Sequence, residues 1–256
     1  MKTIKGIWRF SRVICYTFVC LFQAYTRFKH VDRKEKGRML RYYPTQVLKL
    51  AGVRCSYEGH VPELLHECGL TDTPPACLVL SNHVSWLDIF SLDSQLPSRF
   101  IAKAEIAKWP IFGLIAQQIG TLFINRSSKR AILRINDDIR GALCNCEAVT
   151  IFAEGTTTFG NELLPIKANF IAPVCEIGAT VQPVILSYKN KGKPTKQAAF
   201  SGDVTLFGSL WKVVTMEDAE VVVHFLEPIT NTKDLTRHEV AKICEERMRA
   251  KLQEIW

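Results

Sequence analysis

Along this chain apolar residues gather in short unbroken runs, and between the runs they recur with a helical period. The runs are ACLVL (76–80), SRFIAKA (98–104), GTLFIN (120–125), AVTIFAE (148–154), TVQPVIL (180–186) and AEVVVHFLEPI (219–229). Continuous Val, Ile, Leu and Phe predict strands covered on both faces, because a half-solvated strand would alternate. From 127 to 146 the apolar positions are Ile132, Ile135, Ile139 and Leu143, a 3-4-4 spacing that makes one helical stripe, with Ser127 or Ser128 available as its cap. Residues 235–256 read as a charged amphipathic helix, and 189–203, rich in Lys, Gly and Gln, as a surface loop. Runs alternating with helices predict an α/β fold with a largely parallel central sheet flanked by helices.

The first 54 residues follow a different pattern. VICYTFVCLFQAYT, between Arg12 and Arg27, carries no charge but is short of the ~20 apolar residues a spanning helix needs. Residues 1–54 hold 13 Lys or Arg and two acids, a net +11 against the whole chain's +8, so the remainder is slightly acidic. No A-x-A site follows, which speaks against a secretory leader. A nucleic-acid arm would have no use for Val13, Ile14, Phe18, Val19, Leu21 and Phe22 clustered among the cations, so nucleic acid is not the expected partner. An interfacial helix uses both, with apolar groups in the headgroup boundary and cations on an anionic membrane surface. A buried helix with a basic flank is the competing account. The expected organisation is therefore 1–54 as a membrane-surface helical arm and 55–256 as the α/β domain. The 47% hydrophobic content suits a globular body, and nine irregularly spaced cysteines read as reduced thiols, with no metal-binding spacing among them.

In parallel sheets chemistry gathers at the carboxyl ends of strands. The first run exits into SNHVSWLDIF (81–90), with His83 in the turn and Asp88 on the first turn of the next helix. An aspartate there can fix one ring nitrogen as the proton carrier and leave the other as a general base. The plainer account makes Asn82 or Ser85 a helix cap and His83 a turn residue. A second exit, EGTTTFGN (154–161), offers a carboxylate, two glycines and three threonines, though such turns commonly bind nothing. Arg126 ends FINR (123–126), and Lys167 ends LPIK (164–167).

Taken in order, these blocks resemble the lysophosphatidate acyltransferase (plsC-like) superfamily of glycerolipid acyltransferases. Asn82-His83-x4-Asp88 is similar to its N-H-x4-D block, Phe123 to Arg126 to F-I-x-R, Phe152 to Thr156 to F-P-E-G-T, and Val181 to Val184 to its proline-centred strand. The resemblance covers about residues 76–186. It implies that His83, oriented by Asp88, deprotonates a lysolipid hydroxyl for attack on acyl-CoA or an acyl-carrier-protein thioester. It also implies that no cofactor or metal takes part and that no acyl-enzyme is needed, in keeping with the lack of a G-x-S-x-G motif. It further implies that Asn82, Glu154, Gly155, Thr156, Thr157 and Lys167 line the substrate site, with Glu154, Gly155 and Thr156 on the acceptor's polar end and Arg126 on its phosphate.

Two departures bear on the acceptor. Ala153 replaces the usual proline, and Thr157 stands where many phosphatidate-forming members carry arginine. The E-G-T-T form with downstream G-N and L-P-x-K looks more like members that acylate lyso-ornithine lipids. The resemblance thus implies a 1-acylglycerol-3-phosphate type acceptor, with lyso-ornithine lipid as the alternative. The expected location is the cytoplasmic face of the inner membrane, peripheral or monotopic. The alternative from a different class is a non-catalytic protein that binds the membrane surface.

Overall fold

The computed structural model describes residues 2–59, 77–125 and 128–256. Its helices are α1 (Lys2–Thr26), α2 (Arg33–Ala51), α3 (Leu87–Gln95), α4 (Phe112–Gln118), α5 (Lys129–Cys144), α6 (Ala172–Ile177), α7 (Leu206–Val214) and α8 (Arg237–Ile255). The strands are β1 (Val53–Gly59), β2 (Cys77–Ser81), β3 (Arg99–Lys103), β4 (Leu122–Ile124), β5 (Val149–Phe152), β6 (Thr180–Asn190), β7 (Lys193–Pro194) and β8 (Ala219–Phe225). They form one sheet in the order β1-β8-β6-β2-β5-β3-β4, with β7 paired to β6.

Every residue of β2 and β5 is buried, as the unbroken apolar runs require. Alternate side chains of β2 enter two separate cores. Cys77 and Val79 join α1, α2, α3 and α7 on one face, while Leu78 and Leu80 join α5, α6 and α8 on the other. The predicted stripe on α5 is the face that goes in, with Ile135, Ile139 and Leu143 buried and Ser128 capping the start through Ala131 N–H. Truncating Ile139, which is fully buried, to alanine would cost about 2–5 kcal/mol.

From β6 to β4 all neighbours are parallel, whereas β8 runs antiparallel to β6 and β1 parallel to β8. The mixed edge is a common addition to a parallel sheet. Residues 189–203 depart from the surface loop expected of them. The first two extend β6, the chain then turns back through β7, and Ala198 and Ala199 are buried.

Within residues 1–54, expected as an arm, α1 and α2 pack against the sheet, and Val53 and Arg54 open β1. α1 lies against α2, α4 and α7, and Val13, Val47 and Leu48 belong to the same core as Val79 and Val221. Arg9, counted above among the arm's cations, is turned inward. Its Nη1 donates to the carbonyls of Val214 and Met216 at 3.1 and 3.0 Å, closing the end of α7, and burial lowers its pKa. Gly52, left-handed at φ 76°, ends α2 where a Cβ would strike the Arg9 guanidinium. The opposite face of α1 is apolar yet exposed. Ile4, Trp8, Phe18, Phe22 and Tyr25 fall on the one stripe 4-8-11-15-18-22-25, completed by the exposed Ser11 and Cys15. No helix among the described residues is long and apolar enough to cross a membrane.

Candidate active site

β2 and β5 are adjacent and parallel, so their exits open side by side. His83 follows β2 and is held from four directions. Its backbone N–H donates to Glu154 Oε1 at 3.0 Å, and its carbonyl accepts from Thr158 N–H at 2.8 Å. Its ring stacks on Phe152, with centroids 3.8 Å apart and planes 8° from parallel, and its Nδ1 lies 2.7 Å from Asp88 Oδ2.

Asp88 is fully buried on the first turn of α3. The backbone N–H groups of Val84 and Ser85 also donate to Oδ2, at 2.7 and 2.9 Å, and the Tyr188 hydroxyl donates to Oδ1 at 2.5 Å. Backbone N–H groups can only donate, so Oδ2 is an acceptor and the proton in the 2.7 Å contact sits on His83 Nδ1. That tautomer leaves Nε2 with a lone pair. Nε2 has no hydrogen-bond partner among the described residues, and the imidazole retains 21% of its exposure. The expected helix start at Ser85 is also present, its Oγ accepting weakly from Leu87 N–H at 3.4 Å.

Glu154 was expected to face the acceptor, but it faces the protein. The residue is 3% exposed, and its two oxygens accept from backbone N–H groups, Oε1 from His83 and Oε2 from Leu164 at 3.0 Å. Burial pushes its carboxyl above the ordinary value, while the two N–H donors pull it back. Asn82 is likewise fully buried rather than at a headgroup. Its amide makes a two-point staple to the Leu186 backbone, accepting from N–H at 2.7 Å and donating to C=O at 3.1 Å, which ties the exit of β2 to β6.

The remaining expected residues divide by exposure. Gly155, at φ 74°, makes the turn out of β5. Thr156 is exposed beside it. Thr157 is half-buried and gives its hydroxyl to the Phe200 carbonyl at 2.5 Å. Lys167 has an exposed side chain, and its backbone N–H donates to Ala153 O at 3.3 Å, bringing it to the same strand exit. Arg126 lies outside the described residues. Gly160, at φ 77°, packs so closely that a Cβ would stand 2.8 Å from Val84, so the 158–160 turn lies directly on the histidine's neighbour.

Tyr188, Leu164 and Phe200 were not anticipated. The apolar run that predicts β6 ends at Leu186, and Tyr188 lies two residues beyond, pointing to the same face as Leu186.

The described residues thus assemble a hydrogen-bonded imidazole with one open basic nitrogen at the mouth of a parallel sheet, which suits proton abstraction from a hydroxyl. The family model described as Acyltransferase matches residues 62–187. The 1-acyl-sn-glycerol-3-phosphate acyltransferase of Neisseria gonorrhoeae is 39% identical over 178 residues, 69% of each chain. The lyso-ornithine lipid O-acyltransferase of Rhizobium meliloti is 32% identical over 237 residues, 88% of this chain and 78% of that protein. The crystal structure of PlsC, the 1-acyl-sn-glycerophosphate acyltransferase of Thermotoga maritima, shares the fold, with a TM-score of 0.69 over 99% of this chain and 97% of that one at 17% identity. The chain belongs to the plsC-like acyltransferase family, alongside the lysophosphatidate and lyso-ornithine lipid acyltransferases.

Proposed function

We propose that this acyltransferase moves a fatty acyl group from an acyl thioester to the free hydroxyl of a lysolipid, with His83 Nε2 as general base. The observation that carries the reading is the 2.7 Å contact between His83 Nδ1 and an Asp88 carboxylate already bound by two backbone N–H groups and a phenol. Nε2 takes the acceptor's hydroxyl proton as its oxygen attacks the thioester carbonyl. The C–S bond of the tetrahedral intermediate then breaks, and the thiolate leaves with the proton held on Nε2. Asp88 balances the imidazolium between the two steps. Purified protein given labelled acyl-CoA and a panel of lysolipids tests this. His83→Ala should cost about 10²–10⁴-fold in kcat. Undiminished turnover by that variant rejects the base assignment.

The acceptor is read as a 1-acylglycerol-3-phosphate type lysolipid, its phosphate met by Lys167 and Arg126. A second reading, lyso-ornithine lipid, is favoured by Thr157, whose hydroxyl is committed to Phe200 where a fork-shaped cation would suit a phosphomonoester. Rescue of a strain lacking phosphatidate synthesis, against rescue of one lacking ornithine lipid, separates them. Docking is assigned to the exposed apolar stripe of α1, which lies in the headgroup layer of an anionic membrane at the cytoplasmic face.

A further inference from the structure

Beside the His83 turn lies a cavity of about 530 Å³ that the proton-transfer pair itself does not account for. Lys191, Lys196 and Lys212 line it, together with Phe159. Lys191 pairs with Glu217, but no carboxylate among the described residues pairs with Lys196 or Lys212. The Lys196 ammonium sits over two aromatic rings, 5.9 Å from the centroid of Phe159 and 5.8 Å from that of Trp256. Both rings are about half exposed. Two exposed lysines without carboxylate partners among the described residues, beside exposed aromatic rings, suit a ligand that is flat at one point and multiply anionic at another.

The cavity's position relates it to the reaction. Phe159 directly follows Thr158, whose N–H holds the His83 carbonyl, and Trp256 Nε1 donates to Gly160 O at 2.8 Å. On the far wall, Ala199 precedes Phe200, whose N–H holds the Val84 carbonyl at 2.8 Å. Two of the cavity's wall segments therefore adjoin the residues that clamp 83 and 84, while residues 190, 191, 212 and 215–217 form the rest of its lining.

We infer that this cavity is the docking site for the phosphorylated nucleotide end of the acyl donor, with Lys196 and Lys212 on its phosphates and the Phe159 and Trp256 rings on its base. The inference rests on the acyl-transfer reading and deepens it by favouring a coenzyme A thioester over a carrier-protein thioester. A nucleotide bound there would leave its pantetheine arm to run along the 158–160 turn toward His83 Nε2.

The test compares kcat/KM for acyl-CoA, acyl-carrier protein and acyl-pantetheine, which lacks the nucleotide, in the wild type, Lys196→Ala and Lys196→Ala/Lys212→Ala. Titration calorimetry with adenosine 3′,5′-bisphosphate is run alongside. The preference for acyl-CoA over acyl-pantetheine should fall roughly tenfold per lysine, the size of one charge-assisted contact, and bisphosphate binding should weaken in parallel. An unchanged donor ratio overturns the inference. So does a loss confined to acyl-carrier protein, or one seen only as weaker binding to anionic vesicles, since these give the lysines to a protein or to the bilayer. The calorimetry needs no turnover, so a chain that binds the bisphosphate but acylates no lysolipid would refute the acceptor reading and leave the donor site standing.

Discussion

Tyr188 donates its hydroxyl to Asp88 Oδ1 at 2.5 Å, across 100 residues of sequence and wholly inside the protein. Burial and the neighbouring carboxylate push the phenol's pKa well above its ordinary value, so it is a donor throughout the working range. A neutral donor on a carboxylate draws charge from it and weakens its hold on an imidazolium. In Tyr188→Phe the buried Oδ1 is left without its donor and Asp88 loses a hold on its orientation, so kcat should fall about 3–10-fold. A merely structural role would lower Tm and leave kcat in place.

Glu154 ties the exit of β5 to the His83 turn through Oε1 and to the Leu164 segment through Oε2, and an amide cannot accept both. Glu154→Gln should therefore lower kcat about tenfold or more at a nearly constant acceptor KM, because the base loses its support rather than the acceptor its grip. A raised acceptor KM with kcat preserved would instead put Glu154 on the headgroup.

Much of this was legible in the sequence, and the remainder was hidden for physical reasons. β2 and β5 are buried on both faces and announce themselves as apolar runs, and His83 and Asp88 are only five residues apart, within one turn and its helix. β1, VRCSYEG, lies at the sheet edge with mostly exposed side chains, so it carries no run to read. Glu154 sits in a block whose residue types were recognisable, but the direction its carboxylate faces depends on Leu164, ten residues on, in a segment without secondary structure. Asn82 shows the same limit, because a polar residue that staples strands looks in sequence like one that binds a ligand. The antiparallel turn of β8 against β6 is set by long-range pairing that no local pattern encodes.

Asp93 is buried on α3 with one backbone donor, Ser98 N–H at 3.0 Å, and burial raises its carboxyl well above the ordinary range. Below about pH 4, near the ordinary Asp value, folded and unfolded chains are both protonated and the group costs nothing. As pH rises the unfolded chain ionises first, so stability is lost progressively until the folded carboxyl also titrates. Asp93→Asn keeps the acceptor for Ser98 and removes the titration. Its Tm should match the wild type in acid and exceed it near neutrality, by roughly 2–4 °C for each kcal/mol recovered. A gap that stays constant with pH would contradict this.

On α1, Trp8 and Phe22 are 58% and 63% exposed on the same stripe. Trp8→Glu and Phe22→Glu together should weaken sedimentation with anionic vesicles at least tenfold, since each removes about 1.5–3 kcal/mol of apolar burial and places an acid against acidic lipid. Activity on detergent-dispersed lysolipid should survive the change. Vesicle binding equal to the wild type would move the docking surface elsewhere.

The inward-turned Arg9 has a mechanical consequence. It fastens α1 to the end of α7, while the rest of that helix face packs into the sheet's own core. A bilayer that held α1 would therefore set the height and tilt of the whole sheet, and with it the level of the His83 turn. An enzyme mounted in this way searches in two dimensions. Its rate would follow the mole fraction of acceptor in the lipid surface rather than the acceptor's bulk concentration, so diluting the acceptor with inert phospholipid at constant total acceptor should slow it.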